Sequence, residues 1–281
     1  MHPRAETSSE SGSARPGDLP SARPVRDRFG HRLQGPFAVF LDYDGTLTRI
    51  VDDPDEALLT TTMRETIGNL TSVTLVAIVS GRDLDDVRAK VGLDGIAYAG
   101  SHGLDILHAD GTRQQLATAH LEVLDRAQQA LEQEIGAIAG IRVERKRFAI
   151  AVHDRQVEAP DARSRIAEVV GRLGAQFDEL RATGGKRIHE LRPAIDWDKG
   201  RAIEALLTAL EAEDHLPIYL GDDLTDEDGF RAVSNRRGIA VLVRGEDADR
   251  RTAAEAGLDS PDDVQCFLEE LYELRADRDR G

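Results

Sequence analysis

The stretch FAVFLDYDGT, residues 37–46, decides the fold. Its first five residues are apolar, and a short, unbroken apolar run is typical of a strand buried in a parallel sheet. The polar residues DYDGT follow at once, so they lie just beyond the carboxyl end of that strand. In open α/β sheets ligands bind at this edge, because the loops there converge on one crevice. The segment therefore predicts both a strand and a site.

Further apolar runs repeat this pattern and alternate with helical patterns along the chain. They are TLVAIV at 74–79, IAYA at 96–99, PIYL at 217–220 and IAVLV at 239–243. SGR follows the first of these runs and GDDLTDED follows the third. We expect an α/β fold with a parallel sheet, in which these polar clusters meet the DYDGT segment at one edge.

The section between the runs at 96–99 and 217–220 has a different pattern. It contains a helical stretch at 119–140, a candidate hairpin at 141–155, a helix after Pro160 and a second candidate hairpin at 177–192. Strands joined by tight turns favour an α+β unit with an antiparallel sheet. We therefore predict a second domain that is inserted into the first.

The predicted organisation has a tail, a core in two parts and an inserted domain. Residues 1–35 are rich in Ser, Pro, Gly and charge and lack apolar periodicity, so we expect them to be disordered. The predicted core domain comprises 36–108 and 193–281, and the inserted domain comprises 109–192.

Composition limits the classes of partner. The chain has 281 residues, 40% of them apolar, and its 36 Lys and Arg against 52 Asp and Glu give a formal charge of −16. Such a field repels nucleic acid, anionic membranes and free phosphate esters, so any phosphate site must carry its own cations. The sequence shows neither an apolar run of about 18 residues nor the apolar core of a signal peptide, so we expect a cytoplasmic protein without membrane or nucleic-acid partners.

Asp42 and Asp44 leave the first strand at positions i and i+2, which places both carboxyl groups on the same side of an extended backbone. A carboxylate such as Asp42 can attack phosphorus and form an aspartyl phosphate, which divides one hydrolysis into two easier steps. Asp44 can protonate the departing alkoxide and then deprotonate the attacking water. Taken alone, the DxDG pattern is as consistent with a calcium-type or surface turn as with catalysis.

The segment GDDLTDED, residues 221–228, places acidic side chains directly after an apolar strand. Hard oxygen ligands of this kind suit Mg²⁺. An acidic helix start explains Asp226 and Glu227, because the helix dipole favours acids in the first turn. That alternative does not explain Asp222, which directly follows the strand and its glycine.

We therefore assign Asp222 to a Mg²⁺ site. The other predicted ligands are the side chain of Asp42 and the backbone carbonyl of Asp44, while Asp223 and Asp226 are candidates for support outside the ligand set. Mg²⁺ would reduce the repulsion between a carboxylate nucleophile and an anionic phosphoryl group.

Cations and backbone amides are also required. Ser80, Gly81 and Arg82 offer a hydroxyl, amides at a helix start and a guanidinium, all of which suit phosphoryl oxygens. An ordinary Ser N-cap explains the same residues equally well. Lys199, at the start of another predicted helix, can reach the phosphate or hold Asp42 in place, although an isolated Lys at a helix start is most often solvated.

Four motifs in this order, DYDGT, SGR, Lys199 and GDDLTDED, resemble those of the haloacid dehalogenase-type phosphohydrolases. The resemblance implies a Rossmann-like core, Asp42 as nucleophile, Asp44 as acid and base, and Mg²⁺ as cofactor. It agrees with the roles argued from the residues.

From Pro36 onward the chain more closely resembles the trehalose-6-phosphate phosphatase family. The likeness is carried by GGKRIHELRPAIDWDKGRAI at 184–203, GSHG at 100–103, VERKRFAIAVHDR at 143–155 and GDDLTDEDGF at 221–230. It implies hydrolysis of trehalose 6-phosphate, a small sugar phosphate, to trehalose and phosphate. The inserted α+β domain would be a cap that closes over the sugar, with hinges near 105–110 and 191–196.

Sugar recognition is predicted on the inserted sheet. Lys186, Ile188 and Glu190 alternate onto one face of the strand, where a cation and a carboxylate can bind sugar hydroxyls. The resemblance adds Lys146 and His153, with Glu144 and Arg155 beside them. For each residue alone, an exposed sheet face with scattered ion pairs is the alternative. The chain has Asp105 where the family pattern has Glu, so Asp105 and His102 are left unassigned.

Two alternative functions remain open. Other capped sugar phosphatases, acting for example on sucrose 6-phosphate or mannosyl-3-phosphoglycerate, share the core motifs, so Lys186 and Glu190 are the discriminating residues. A silent sugar-phosphate sensor is expected to lack the nucleophile, the acid and base or a metal ligand, whereas Asp42, Asp44 and Asp222 are all present.

Overall fold

The computed structural model describes residues 14–51, 53–185, 187–245 and 250–279. Its helices are α1 (Val25–Phe29), α2 (Thr61–Thr71), α3 (Leu84–Val91), α4 (Leu121–Ile135), α5 (Pro160–Gln176), α6 (Lys199–Ala209), α7 (Glu227–Asn235) and α8 (Pro261–Asp279). Its strands are β1 (Phe37–Leu41), β2 (Leu75–Val79), β3 (Ala97–Gly100), β4 (Asp105–Leu107), β5 (Arg113–Gln115), β6 (Arg142–Lys146), β7 (Ala149–His153), β8 (Leu180–Gly185), β9 (Ile188–Pro193), β10 (Leu216–Gly221), β11 (Ile239–Val243) and β12 (Ala256–Leu258). Among the helices of the described ranges, none has the length and apolar character needed to cross a membrane.

The core is built on a sheet with strand order β12-β11-β10-β1-β2-β3-β4-β5. The strands from β12 to β3 are parallel, and β4 and β5 continue the sheet in antiparallel orientation. One face packs against α1, α2, α3 and α8, and the other packs against α6 and α7. The predicted α/β fold with a mostly parallel sheet is confirmed.

The apolar runs of the sequence form the strands of this sheet, with ends that differ from the predictions by at most one residue. Every residue of β1 is buried. Phe37, Val39 and Leu41 pack on one face of the sheet, while Ala38 and Phe40 pack on the other. A strand covered by helices on both faces needs an apolar side chain at each position, which is why its sequence reads as an unbroken run.

Residues 118–193, which we call the inserted unit, form a second sheet with the order β6-β7-β9-β8. All its strand pairs are antiparallel, as expected for the predicted α+β unit. Apolar side chains on one face of this sheet pack against α4 and α5. Most of the alternate positions carry polar side chains, although Ala149, Ala151 and Ile188 also lie there, so the other face, which we call the polar face, is turned away from the unit's own helices.

The inserted unit begins later than predicted. β5 pairs with β4 in the core sheet, so the predicted boundary at residue 109 falls within a core hairpin. The chain enters the inserted unit at the turn Thr118–His120 and leaves it after Pro193. The hinge predicted at 105–110 therefore lies inside this hairpin, away from the crossing. The short strand Arg-Gln-Gln has no apolar alternation by which to recognise it.

Residues 14–35 contradict the predicted disordered tail. They contain a 3-10 turn at Pro16–Asp18 and the helix α1. Glu270 on α8 accepts hydrogen bonds from Arg23 Nε at 2.7 Å and from the backbone N–H of Val25 at 2.6 Å. The segment buries five apolar side chains, namely Leu19, Ala22, Val25, Phe29 and Leu33. The Pro, Ser, Gly and charged residues between them give the segment the composition of a disordered tail, and residues 1–13 lie outside the described residues.

Candidate active site

The predicted site residues follow neighbouring strands at the carboxyl edge of the core sheet. β1 lies between β10 and β2, so Asp42, Asp222 and Ser80 begin adjacent loops. The backbone N–H of Asp42 donates to the carbonyl of Leu220 at 3.0 Å, which continues the β1–β10 pairing up to the loops themselves. The topology therefore brings three separated motifs to one edge.

Lys199 is the first residue of α6 and is only 3% exposed. Its Nζ donates to Asp42 Oδ1 at 2.7 Å and to Asp226 Oδ1 at 2.6 Å. Burial opposes the positive charge of Lys199, but the negative charges of Asp226 and Asp42 outweigh it and raise the pKa. Of the two roles left open for Lys199, the structure shows the one in which it holds Asp42 in place.

Asp226 is fully buried beneath this contact. Its Oδ2 accepts from the backbone N–H groups of Asp222 and Asp223, each at 2.9 Å. Its Oδ1 accepts from Lys199 and from the hydroxyl of Tyr219. Four donors occupy the lone pairs of this carboxylate. Asp226 is therefore placed to order the loop and the lysine rather than to ligate a metal.

Carboxylate oxygens of Asp42, Asp222 and Asp226 lie within 4.8 Å of one another, and we call these residues the acidic centre. Burial raises the pKa of Asp42 to about 8, against the opposing effect of Lys199. Burial and the charge of Asp42 raise the pKa of Asp222 as well. With all three carboxylates ionised, the single ammonium of Lys199 would leave two surplus negative charges, and this repulsion adds to the effect of burial on the two pKa values. A divalent cation that prefers oxygen ligands fits this centre, and Asp42 and Asp222 are the carboxylates available to it.

Gly45 allows the two loops of the centre to approach each other. Its φ is +74°, and a β carbon at this position would lie 2.0 Å from Asp222 Oδ2. Any side chain would therefore strain the backbone and displace Asp222 from the DYDGT loop. The glycine of this motif is required by the geometry of the acidic centre.

The guanidinium of Arg82 binds the carboxylate of Asp44 and does not point into open space. Its Nε donates to Asp44 Oδ2 and its Nη2 to Asp44 Oδ1, both at 2.7 Å. Its Nη1 donates to Asp86 Oδ2 at 2.8 Å, and the guanidinium carbon lies 5.4 Å from the centroid of the Tyr43 ring. The bidentate pair occupies both carboxylate oxygens of Asp44. Contact between Arg82 and a phosphate stays a prediction.

Ser80 and Gly81 form the rest of this loop. The Ser80 side chain is buried, and its Oγ accepts from the backbone N–H of Arg82 at 3.1 Å. The residue at the N-cap position of α3 is Asp83, so the alternative of Ser80 as an N-cap is wrong. A β carbon on Gly81 would lie 2.8 Å from Cε1 of His102, so the imidazole packs directly on the glycine. The loop is thereby held against the segment that contains His102.

The predicted sugar-binding residues that the structure describes lie on the polar face. Lys146 Nζ is 3.3 Å from Glu190 Oε1, and Glu190 Oε2 is 3.6 Å from Arg192 Nε. His153 Nε2 is 2.9 Å from Glu144 Oε2, a contact that lowers the pKa of Glu144 despite its partial burial. Donors and acceptors thus alternate across this face. Arg155 is exposed beyond β7, and Lys186 lies outside the described residues.

The inserted unit contacts the core beside the acidic centre. Asp83 accepts from the backbone N–H of Arg147 at 2.7 Å, and Arg181 donates to the carbonyl of Trp197 at 3.2 Å. Burial lowers the pKa of His102 well below its usual value, and nearby positive charges lower it further. These charges belong to Lys199 of the core and to Arg192, Lys146 and Arg181 of the inserted unit. His102 therefore lies between the two.

A family model described as trehalose-phosphatase matches residues 40–262. The chain belongs to the trehalose-phosphatase family. It is 47% identical over 242 residues to the trehalose-phosphate phosphatase of Mycobacterium marinum, which covers 83% of this chain and 61% of that protein. It is 42% identical over 275 residues to that of Mycobacterium tuberculosis H37Rv, which covers 95% of this chain and 69% of that protein. The chain thus spans roughly three fifths to two thirds of these relatives.

Solved structures agree on the fold. The C-terminal domain of the C. albicans trehalose-6-phosphate phosphatase superposes with a TM-score of 0.77 at 23% identity, over 91% of this chain and 99% of that one. A protein described as related to trehalose-6-phosphate phosphatase gives a TM-score of 0.70 at 28% identity, over 86% of this chain and 99% of that one. The resemblance stated from the motifs is confirmed.

In this member of the trehalose-phosphatase family, the side chain of Asp105 has a structural role. It is 1% exposed, and Arg113 donates to its two oxygens at 2.9 and 2.7 Å. Gln115 donates to Oδ2 at 3.0 Å. Asp105 therefore ties the β4–β5 hairpin together and has no carboxylate oxygen free for a sugar.

Three residues in or beside this candidate site were not predicted from the sequence. Tyr219 is the single aromatic residue of the run PIYL, and its hydroxyl donates to Asp226. A side chain with a polar group inside an otherwise apolar strand was the available signal. Arg113 and Asp83 act through contacts with residues that are close only in the folded chain. No local pattern marks them.

Proposed function

We propose that this protein hydrolyses trehalose 6-phosphate to trehalose and inorganic phosphate, with Mg²⁺ as cofactor and an aspartyl phosphate on Asp42 as intermediate. The observation that carries the proposal is the buried contact of Lys199 with both Asp42 and Asp226, beside Asp222. Membership of the trehalose-phosphatase family supplies the substrate.

Asp42 is suited to nucleophilic attack by the way it is held. Lys199 binds Oδ1, which leaves Oδ2 to approach phosphorus, and the buried position keeps competing water away. The ammonium opposes the effect of burial and favours the charged, nucleophilic carboxylate. Asp42, Asp222 and the backbone carbonyl of Asp44 would hold Mg²⁺, which when bound supplies the missing positive charge and stabilises the transferring phosphoryl group.

Asp44 is the proposed acid and base. Arg82 donates to both of its carboxylate oxygens, so Asp44 has to leave Arg82 before it can reach the leaving group. Phosphoryl oxygens offer Arg82 the same bidentate geometry as a carboxylate. Binding of the phosphate by Arg82, the Ser80 hydroxyl and the Gly81 amide would therefore release Asp44 to protonate the sugar oxygen that leaves.

The inserted unit is the proposed cap that recognises the sugar. Its polar face presents Lys146, His153 and Glu190 with their partners, and sugar hydroxyls can replace those partners as donors and acceptors. The pairs keep these charges neutralised until a sugar arrives. Lys186 completes the predicted set and lies outside the described residues.

A phosphate-release assay with a panel of substrates tests the proposal. The panel contains trehalose 6-phosphate, sucrose 6-phosphate, mannosyl-3-phosphoglycerate and glucose 6-phosphate, each with Mg²⁺ and with EDTA. We expect trehalose 6-phosphate to give the highest kcat/KM and EDTA to abolish release. Preference for another sugar phosphate would overturn the substrate, and turnover in EDTA would overturn the role of the metal.

A further inference from the structure

Asp83 directly follows the Ser80-Gly81-Arg82 loop, and its side chain makes contacts that are unusual for an Asp at the start of a helix. It occupies the N-cap position of α3, where an Asp side chain normally accepts from the second or third N–H of the helix. Here the side chain makes no such bond to α3. Its Oδ1 accepts from Ser101 Oγ at 2.9 Å, and its Oδ2 accepts from the backbone N–H of Arg147 at 2.7 Å. The carboxylate joins two segments outside its own helix.

The first of these segments is the loop Ser101–Gly103. Ser101 and His102 have φ values of 50° and 58°, a left-handed conformation that a non-glycine residue keeps only when its surroundings enforce it. The backbone N–H of Ser101 donates to the Arg82 carbonyl at 2.6 Å, and that of His102 donates to the Ser80 carbonyl at 2.8 Å. The strained loop is therefore fixed to the Ser80–Arg82 loop, and Asp83 adds a side-chain link.

The second segment is the turn between β6 and β7 of the inserted unit. Phe148 in this turn is fully buried and packs with Leu104 and Ala117 on the core side. This apolar contact is not directional, whereas the hydrogen bond from Arg147 to Asp83 fixes one backbone atom. Lys146 immediately precedes Arg147 and pairs with Glu190 on the polar face. The position of the β6–β7 turn therefore determines the position of Lys146.

We propose that Asp83 is a positioning residue for sugar phosphates: it fixes the β6–β7 turn, and with it Lys146, over the Ser80–Arg82 loop. The inference rests on the proposed function, because it assumes that the polar face binds the sugar while the core binds the phosphate. It predicts that Asp83 matters for a substrate that reaches both surfaces. A phosphate ester without a sugar needs only the core.

Steady-state kinetics of D83A with trehalose 6-phosphate and with p-nitrophenyl phosphate test this role. We expect kcat/KM for trehalose 6-phosphate to fall roughly tenfold to a hundredfold, mainly through KM, as for loss of a hydrogen bond to a charged group. The value for the aryl phosphate should stay within about twofold. D83N should behave like the wild type, since its amide oxygen can accept from Arg147 while its NH₂ donates to Ser101 Oγ.

Asp94→Ala is the matched control, because Asp94 is an exposed acid just beyond the end of the same helix and pairs with the exposed Arg88. It should leave both substrates unaffected. Should D83A fail to fold, Asp83→Ser replaces it, since Ser is a favoured residue at the N-cap position of α3 but its side chain is too short to reach Arg147. Equal losses on both substrates, or no loss on either, would overturn the proposal.

Hydrogen exchange separates this inference from the proposed function. If the wild type does not cleave trehalose 6-phosphate, the proposed function fails, but the contact of Asp83 can still be measured. The backbone amide of Arg147 should exchange faster in D83A than in the wild type or D83N. Unchanged exchange at Arg147 in folded D83A would contradict the positioning role.

Discussion

The acidic centre of the core and the polar face of the inserted unit both consist of paired charges, but they are built differently. In the acidic centre, Asp42, Lys199 and Asp226 are at most 5% exposed and meet at 2.6 to 2.7 Å. On the polar face, Lys146 and Glu190 keep 19% and 14% of their side-chain surface exposed and lie 3.3 Å apart. The buried charges have no alternative partner in water, whereas the half-exposed ones can exchange partners.

This difference corresponds to the two proposed roles, phosphoryl transfer at the acidic centre and sugar binding on the polar face. A nucleophile has to be held in one position, which a buried network with directional bonds provides. Sugar hydroxyls have to be received and released, which partly solvated ion pairs permit at small cost. The predictions below test whether the two regions differ in this way, beginning with the largest expected effect.

Lys199→Met is expected to have the largest effect. It leaves Asp42 and Asp226 as buried charges without their cation, and breaking a buried pair in this way costs about 3–5 kcal/mol of unfolding free energy. Denaturant unfolding at pH 7 measures the loss, and phosphate release should vanish as well. Arg231→Met is the control, because its pair with Asp228 is exposed and should contribute less than about 0.5 kcal/mol. Similar losses of unfolding free energy in the two variants would contradict the proposed difference between buried and exposed charge pairs.

Glu190→Gln is expected to change recognition rather than stability. It removes the negative charge that Lys146 and Arg192 face, so KM for trehalose 6-phosphate should rise roughly tenfold while kcat for an aryl phosphate changes little. Glu179→Gln, at an exposed pair in the same unit, serves as the control. A fall in kcat on both substrates would mean that the polar face takes part in the chemical step.

Tyr219→Phe probes the acidic centre more gently. It removes one of the donors to Asp226 and should lower the unfolding free energy by about 1–2 kcal/mol, because a buried charged acceptor loses a partner. Activity should fall in the same variant, since Asp226 orders both Lys199 and the Asp222 loop. An unchanged unfolding free energy and unchanged activity would show that the acidic centre tolerates the loss of a hydrogen bond as the polar face does.

The smallest effect is expected from the pH dependence of the polar face. The hydrogen bond from His153, together with nearby positive charge, lowers the pKa of Glu144 below its ordinary value of 4.5. The stability this contributes is complete above that value and is lost as the pH falls through the lower folded pKa. At about pH 6 the unfolding free energy of the wild type should exceed that of Glu144→Gln by under about 1 kcal/mol, since the pair is partly solvated, and this difference should disappear as the pH falls towards about 3. A larger difference would mean that this pair behaves as a buried one.

The sequence predicts the two regions unequally. β1, β10 and β11 are recognisable because strands covered on both faces must be apolar throughout, and Asp42 and Asp222 follow from their places just beyond β1 and β10. The α+β character of the inserted unit follows from its alternation. These features depend on neighbours along the chain.

Contacts between distant residues account for what the sequence does not predict. The pairing of Arg82 with Asp44 and of Asp83 with Arg147 depends on loops that meet only after folding. Residues 14–35 are held by residues far along the chain, since Glu270 accepts from Arg23 and Val25 and Glu255 accepts from Arg32. Such long-range contacts override local composition, which for this segment resembles that of a disordered tail.

The central claim is that Asp42 is the nucleophile, and trapping the phosphorylated enzyme tests it most directly. Wild-type protein is mixed with trehalose 6-phosphate and Mg²⁺, quenched in acid within the first turnover, digested and analysed by mass spectrometry, with Asp42→Asn treated in the same way. The account predicts a phosphoryl group on the peptide that contains Asp42 in the wild type and none in the variant. Phosphoryl label on another residue, or undiminished turnover by Asp42→Asn, would contradict it.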